Sequence, residues 1–220
     1  KLKFIEKIMY NLDGKILSGK LEKPQKAVTP QGKLDVTELT FHPDGRVSYC
    51  TLAAPEVLDT LWGRMKLTGS ARFAENGKVD SGRCDGIQKL SFSFGECRIN
   101  GSFHFDHSVM WSNFDLAEDM EISIPFGKLV ITKGFGVHPG GSLAWFTPAN
   151  EVRVKTTYGE FINMSGKAMG LYPDGKPAYF NISEPASINT LAREFSVKGL
   201  MHLYNDGALK SVERQSPVVI

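Results

Sequence analysis

The sequence predicts an all-β protein, a repetitive antiparallel β-sheet of hairpin units with a period of about 32 residues, elongated, curled or solenoid-like. The first feature behind this reading is a series of tight-turn glycines at Gly14, Gly45, Gly77, Gly141, Gly175 and Gly207, each with Pro, Asn or Asp close before it. Glycine accepts positive φ without steric cost, so such sequences mark hairpin turns. Successive spacings are 31, 32, 64, 34 and 32, the double step marking one unit without a turn glycine. The second feature is a set of aromatic-glycine pairs at Trp62-Gly63, Phe94-Gly95, Phe126-Gly127 and Tyr158-Gly159, each 32 residues apart, with Gly32 one step earlier. The third is period-2 apolar alternation around both markers, the signature of strands with one covered and one wet face.

Taken in order, each unit begins with a strand whose apolar positions lie six and four residues before the turn glycine: Leu39/Phe41, Ala71/Phe73, Phe103/Phe105, Phe135/Val137, Met169/Leu171 and Met201/Leu203. The glycine turn follows, then a second strand that carries large apolar residues on both faces, as at Tyr49/Cys50, Trp145/Phe146 and Tyr179/Phe180. Either the sheet curls so that these strands meet a second layer, or that face awaits a partner. A loop, often with proline (Pro24, Pro55, Pro148, Pro185), leads to a third strand that ends at the aromatic-glycine pair. Apolar parity slips by one at that glycine. A bulge or bend in one long strand accounts for the slip, as does a tight turn; the bend is the expectation. The one helical candidate is Ala186 to Glu194, where the period lengthens by two. The units 1–31, 32–62, 63–94, 95–126, 127–158, 159–194 and 195–220 form a single repeat domain over 1–220, stabilised by packing between neighbours. Lys1, Lys3, Glu6 and Lys7 place charge at one terminal edge, which discourages edge-to-edge pairing.

With 26 basic and 24 acidic residues the formal charge is +2, too balanced to attract nucleic acid or an anionic surface by electrostatics. Cys50, Cys84 and Cys97 are an odd, sparse set that makes no disulfide framework and has no zinc-ligand spacing, although one bridge with one thiol left over fits the count. No apolar run is long enough to span a membrane as a helix. The opening KLKF is compatible with a processed N-terminus, any signal or anchor lying outside the sequence.

The segments Phe41-His42-Pro43-Asp44-Gly45 leading to Leu52, Leu171-Tyr172-Pro173-Asp174-Gly175 leading to Ile182, and Leu203-Tyr204-Asn205-Asp206-Gly207 give the units their character. In these residues the chain resembles a divergent MORN-type repeat of the variant kind found in bacterial proteins. Phe114 to Ile122 is similar to the loop after the second strand in such variants. The period is longer than in typical MORN units, and a glycine-rich YxGxW-like core is absent. What the resemblance implies is a repetitive antiparallel sheet serving as a scaffold or interaction module, with peripheral membrane contact as the family's other association.

The densest polar cluster is His104, Asp106 and His107, in the unit that lacks a turn glycine. As chemistry it is a metal or acid/base site, to which His42 and His138 are column-mates. One-unit spacing across a sheet is about 10 Å, too far for a shared ion, so the same residues describe a solvated rim. Gly134 to Gly141 resembles a phosphate loop in composition, but no helix follows it. Glu118, Asp119 and Glu121 lack the order of a calcium loop. Asn163 and Asn181 open glycosylation sequons within strand-like stretches. Trp111, Trp145, Tyr179 and Tyr49 are the candidate binding residues, because an aromatic ladder on an open sheet face can take a glycan, a peptide or a protein. The same residues also suit a core.

No catalytic residue, metal or cofactor is predicted. The expected function is that of a non-catalytic interaction or scaffold protein binding a protein or surface ligand, at a bacterial cell envelope or secreted rather than cytoplasmic. The alternatives are a peripheral membrane or lipid binder, and an enzyme using His104, Asp106 and His107.

Overall fold

The computed structural model describes residues 2–106, 110–189 and 194–214. It is all-β: among the described residues there are nineteen strands and no helix, in one predominantly antiparallel sheet. The strands are β1 (Phe4–Tyr10), β2 (Ile16–Thr29), β3 (Gly32–Phe41), β4 (Val47–Leu52), β5 (Glu56–Thr60), β6 (Gly63–Phe73), β7 (Val79–Cys84), β8 (Gln88–Phe92), β9 (Gly95–Asp106) and β10 (Trp111–Leu116). They continue as β11 (Met120–Ile124), β12 (Gly127–Val137), β13 (Leu143–Pro148), β14 (Val152–Thr156), β15 (Gly159–Asn163), β16 (Met169–Leu171), β17 (Pro177–Asn189), β18 (Glu194–Leu203) and β19 (Leu209–Arg214). The chain divides into two compact units. The first holds residues up to Leu90 with Arg98–Phe105; the second holds Ser91–Cys97 with the described residues from Asp106 onward.

Two kinds of tight turn alternate along the chain. In the Asp-Gly type, illustrated by His42 to Arg46, the His42 amide donates to Arg46 O at 2.8 Å and the Gly45 amide donates to His42 O at 2.9 Å. The same pair of bonds recurs at Asn11, Ala74, His138, Tyr172 and Tyr204. The glycine sits at φ +87° in this turn, a conformation that side chains with a Cβ resist.

The aromatic-glycine pair forms the other turn, which corrects the expectation of a bend in one long strand. Thr60 pairs directly with Gly63, Ile124 with Gly127 and Thr156 with Gly159, leaving two residues in each loop. At Thr60 the hydroxyl accepts from Trp62 N at 3.0 Å and donates to Gly63 O at 2.7 Å, and Thr29 and Thr156 repeat both bonds. A Thr hydroxyl that satisfies the turn's own backbone fixes the chain reversal locally.

The bends lie instead in the middle of the long strands. The first part of β6 pairs with β5 (Leu58↔Met65) and its last part with β4 (Cys50↔Ala71), around a register shift at Gly69, φ +67°. The corresponding positions 32 and 64 residues later are Gly101 at φ +91° and Lys133 at φ +65°. These bends fold the arms over. Within the first unit Gln31 Nε2 donates to Gly77 O at 3.1 Å, and Thr60 forms a parallel bridge with Val79. Within the second, Ser93 Oγ bonds Gly141 O at 3.1 Å and Thr157 Oγ1 bonds Gly207 O at 3.2 Å. Through Gln31, Ser93 and Thr157 a two-residue turn meets an Asp-Gly-type turn about one and a half periods later, and each unit encloses its own core.

The helical candidate at Ala186 to Glu194 is also corrected. Residues up to Asn189 extend β17, paired as Ile188↔Phe195 and Asn189↔Glu194 with β18; residues 190–193 lie outside the described residues. No helix among the described residues is long and apolar enough to cross a membrane.

Candidate functional site

Strand register sorts the second-strand residues into two rows with different fates. In the second unit Phe114, Phe135, Phe146, Met169, Phe180 and Met201 stand opposite one another across successive strands. All six are at most 2% exposed, so this row is the interior, closed by the folded-over arms. Each such side chain contributes about 1.5–3 kcal/mol by leaving water. In the first unit Leu39, Cys50, Ala71 and Phe103 hold the same place.

One residue away, the outward row of the second unit reads Asn113, Gly136, Trp145, Gly170, Tyr179, His202 and Ser211, each paired directly with the next. The two apolar faces noted in the sequence thus divide. Phe146 and Phe180 are fully covered, whereas Trp145 and Tyr179 are half-buried on the outward face.

Both outward rings lie on glycine. A Cβ at Gly136 would overlap Trp145 Nε1 and Cδ1, and one at Gly134 would stand 3.7 Å from Cη2, so the indole runs lengthwise along β12. Its Nε1–H donates to Asn113 Oδ1 at 2.7 Å, across the strand it covers. Tyr179 repeats the arrangement: a Cβ at Gly170 would overlap Cε1 and stand 2.9 Å from Cζ. His202 lies beyond, its ring centroid 5.7 Å from that of Tyr179. Burial pushes the Tyr179 hydroxyl above its usual pKa, so it remains a neutral donor. No charged side chain stands in this row.

The other sequence-predicted residues are placed as follows. Trp111 begins β10 on the same face as Asn113 and meets His138 edge-on at 6.4 Å, while His138 Nε2 lies 3.0 Å from Leu171 O. Tyr49 is half-buried in the outward row of the first unit, which reads Thr40, Tyr49, Arg72, Ser81 and His104. Its hydroxyl lies 3.4 Å from Thr51 Oγ1. His104 is exposed opposite Ser81, about three strand spacings, or roughly 14 Å, from Tyr49. Asp106 ends β9 half-buried, and His107 lies outside the described residues. Among the described residues no three His, Cys, Asp or Glu side chains group so as to hold a metal ion.

Several remaining motifs are structural. The Asn163 side chain is fully buried, with Oδ1 accepting from Asn181 N at 2.7 Å and Nδ2 donating to Met164 O at 3.0 Å, so this sequon is part of the folded interior. Glu121 is paired with Lys128 at 3.3 Å. All three cysteines are free and buried, and burial pushes the Cys50 and Cys97 thiols up to about 12, the Glu96 carboxylate adding to the effect at Cys97. In the first unit a cavity of about 540 Å³ is bounded by Ala27, Val28, Phe41 and Val47, with Lys26 the one ionisable lining residue among the described residues.

Of the predicted residues, Trp145 and Tyr179 are brought into one row, with Trp111 beside it. Asn113, His202, Gly136 and Gly170 belong to the same arrangement and escaped the sequence reading. The available signal was a glycine nine residues before each ring, at 136 for 145 and at 170 for 179. Comparison of the chain with protein-family models, with curated proteins and with solved structures finds no match.

Proposed function

We propose that this protein is a non-catalytic interaction module that binds through the outward row of its second unit. The observation that carries the reading is the pair of rings, Trp145 and Tyr179, seated on Gly136 and Gly170 and half-open to solvent. Trp145 has glycine on both strands beside it, and Tyr179 has glycine on one side and the His202 ring on the other. A ring seated on backbone in this way keeps a contact surface in one conformation before any ligand arrives. Catalysis has less to draw on. His104 faces Ser81 across the strand, and the buried thiols of Cys50 and Cys97 are held far from their nucleophilic form. A membrane-surface reading would call for lysines or arginines in the row, which holds none.

The test uses the full chain immobilised alongside a Trp145→Ala/Tyr179→Ala double variant whose strand content is verified by circular dichroism. Each is challenged with the protein, polysaccharide and lipid-vesicle fractions of a bacterial envelope extract. Retention of a component by the parent chain and its loss by the variant is the expected result. Equal retention by both, or retention by neither, overturns the proposal.

A further inference from the structure

We infer that the outward row of the second unit is a subsite for a neutral β-linked glycan, with Trp145 and Tyr179 as platforms for alternate sugar rings; this rests on the interaction-module reading above. The flat seating of each ring leaves one aromatic face against glycine backbone and turns the other outward. An aromatic face is the negative side of the ring quadrupole, and the axial C–H groups of a pyranose supply the matching weakly positive surface. The platforms cover β12 and β16, which are separated by β13, so they lie two strand spacings apart, about 10 Å. Pyranoses of an extended β-linked chain repeat at close to one strand spacing, so alternate sugars fall on successive platforms while the sugar between them spans β13.

The polar groups fit the same ligand. Asn113 Nδ2, the Tyr179 hydroxyl and the His202 ring make no hydrogen bond among the described residues, and all three flank the rings. They offer donors and acceptors to hydroxyl groups in a row free of formal charge, which suits an uncharged ligand and gives nothing to a polyanion. A stable protein partner covers about 800 Å² per side around a fully desolvated centre. A strip of two half-open rings separated by glycines is narrower than that and matches the width of a single glycan chain.

Cellohexaose and chitohexaose are titrated into the full chain by calorimetry and by tryptophan emission, with maltohexaose as the coiled α-linked control and hyaluronan as the charged one. The expected result is binding of at least one neutral β-linked hexasaccharide, weakened about tenfold or more by Trp145→Ala and separately by Tyr179→Ala. Tyr179→Phe, which keeps the platform and removes the hydroxyl, loses only a few-fold. Two substitutions at separate platforms, each with its strand content verified, keep a folding defect in one from deciding the outcome. Absence of binding to both β-linked sugars overturns the inference, as does equal affinity for maltohexaose or hyaluronan, or an affinity indifferent to both alanine substitutions. The two proposals fail separately. Trp145-dependent retention of a protein component with no hexasaccharide binding removes the glycan and leaves the interaction module; retention of nothing together with no hexasaccharide binding removes both.

Discussion

Gly136→Ala adds one methyl group to a strand and should cost more than most core truncations of similar size. The new Cβ would overlap Trp145 Nε1 and Cδ1, and since the glycine is a direct cross-strand partner of Trp145, the indole has to leave its seat. A half-buried indole that swings out exposes roughly 100 Å² of apolar surface, worth about 2.5 kcal/mol at about 25 cal/mol per Å². Losing the hydrogen bond to Asn113 Oδ1 adds about 1 kcal/mol. Alanine's advantage over glycine in a strand returns about 0.5–1 kcal/mol. The net expectation is a loss of about 2.5–3 kcal/mol, measured by equilibrium urea unfolding followed by circular dichroism.

The decisive form of the experiment is a double-mutant cycle with Trp145→Ala. Once the indole is gone there is nothing for the methyl group to displace, so Gly136→Ala in that background should lie within about 0.5 kcal/mol of neutral or be slightly stabilising. Gly140→Ala, at a turn position with no heavy atom within 4 Å of the added Cβ, serves as the neutral control. The same loss of about 2.5–3 kcal/mol in both backgrounds would refute the reasoning, because the cost would then belong to the backbone and not to the ring.

Lys133→Gly should stabilise the fold: Lys133 holds φ +65° at the place where Gly69 and Gly101 stand in earlier repeats, so glycine relieves about 1–2 kcal/mol of strain and gives back about 0.5–1 in chain entropy. A rise of roughly 0.5–1 kcal/mol in urea unfolding is expected, and no change or a loss would count against it. All three cysteines should resist iodoacetamide at pH 8 in the folded protein and react fully in denaturant, as mass spectrometry would show; labelling of native Cys50 or Cys97 would contradict their burial and their pKa of about 12. Asp44 is held below its usual pKa by the Arg46 amide, which its Oδ1 accepts at 2.9 Å, and by the Arg46 side chain. With the folded pKa depressed below 3.8, its contribution is present above that value and lost as pH falls through the folded pKa. Asp44→Asn should therefore lower stability near neutrality and flatten the acid limb of a stability-against-pH curve; an unchanged acid limb would show that the turn carboxylate plays no part.

The turn glycines and the alternation around them made the hairpin repeat legible, because both are local signals that fix strand direction and face without tertiary information. The connection at the aromatic-glycine pair was not legible in the same way. A one-residue parity slip follows from a two-residue turn as readily as from a bent strand, and the deciding feature is the Thr hydroxyl at Thr29, Thr60 and Thr156. Phe92 and Ile124 hold that position in the intervening units, so the column reads as apolar and hides the turn. The true bend at Gly69 and Gly101 was masked similarly by Lys133. The two faces of the second strand stay undivided in the sequence for a different reason: Trp145 and Phe146 are both large and apolar, and only closure of the folded arms over Phe146 separates them.

Departures from the repeat mark the candidate site better than the repeat itself does. In the first unit the residues paired across from the outward side chains are Thr40 and Arg72, ordinary occupants of a wet strand face. In the second unit they are Gly136 and Gly170, and an interior glycine weakens a strand by about 0.5–1 kcal/mol relative to alanine. Two such positions are offset where a large ring covers the exposed backbone, and each here has one. The compensation has a geometric consequence. A ring packed among side chains adjusts when they do, whereas a ring laid on backbone moves only if the strand moves. The same pairing that repairs two weak strand positions therefore fixes the spacing and tilt of Trp145 and Tyr179, and that fixed spacing is what a periodic ligand would read.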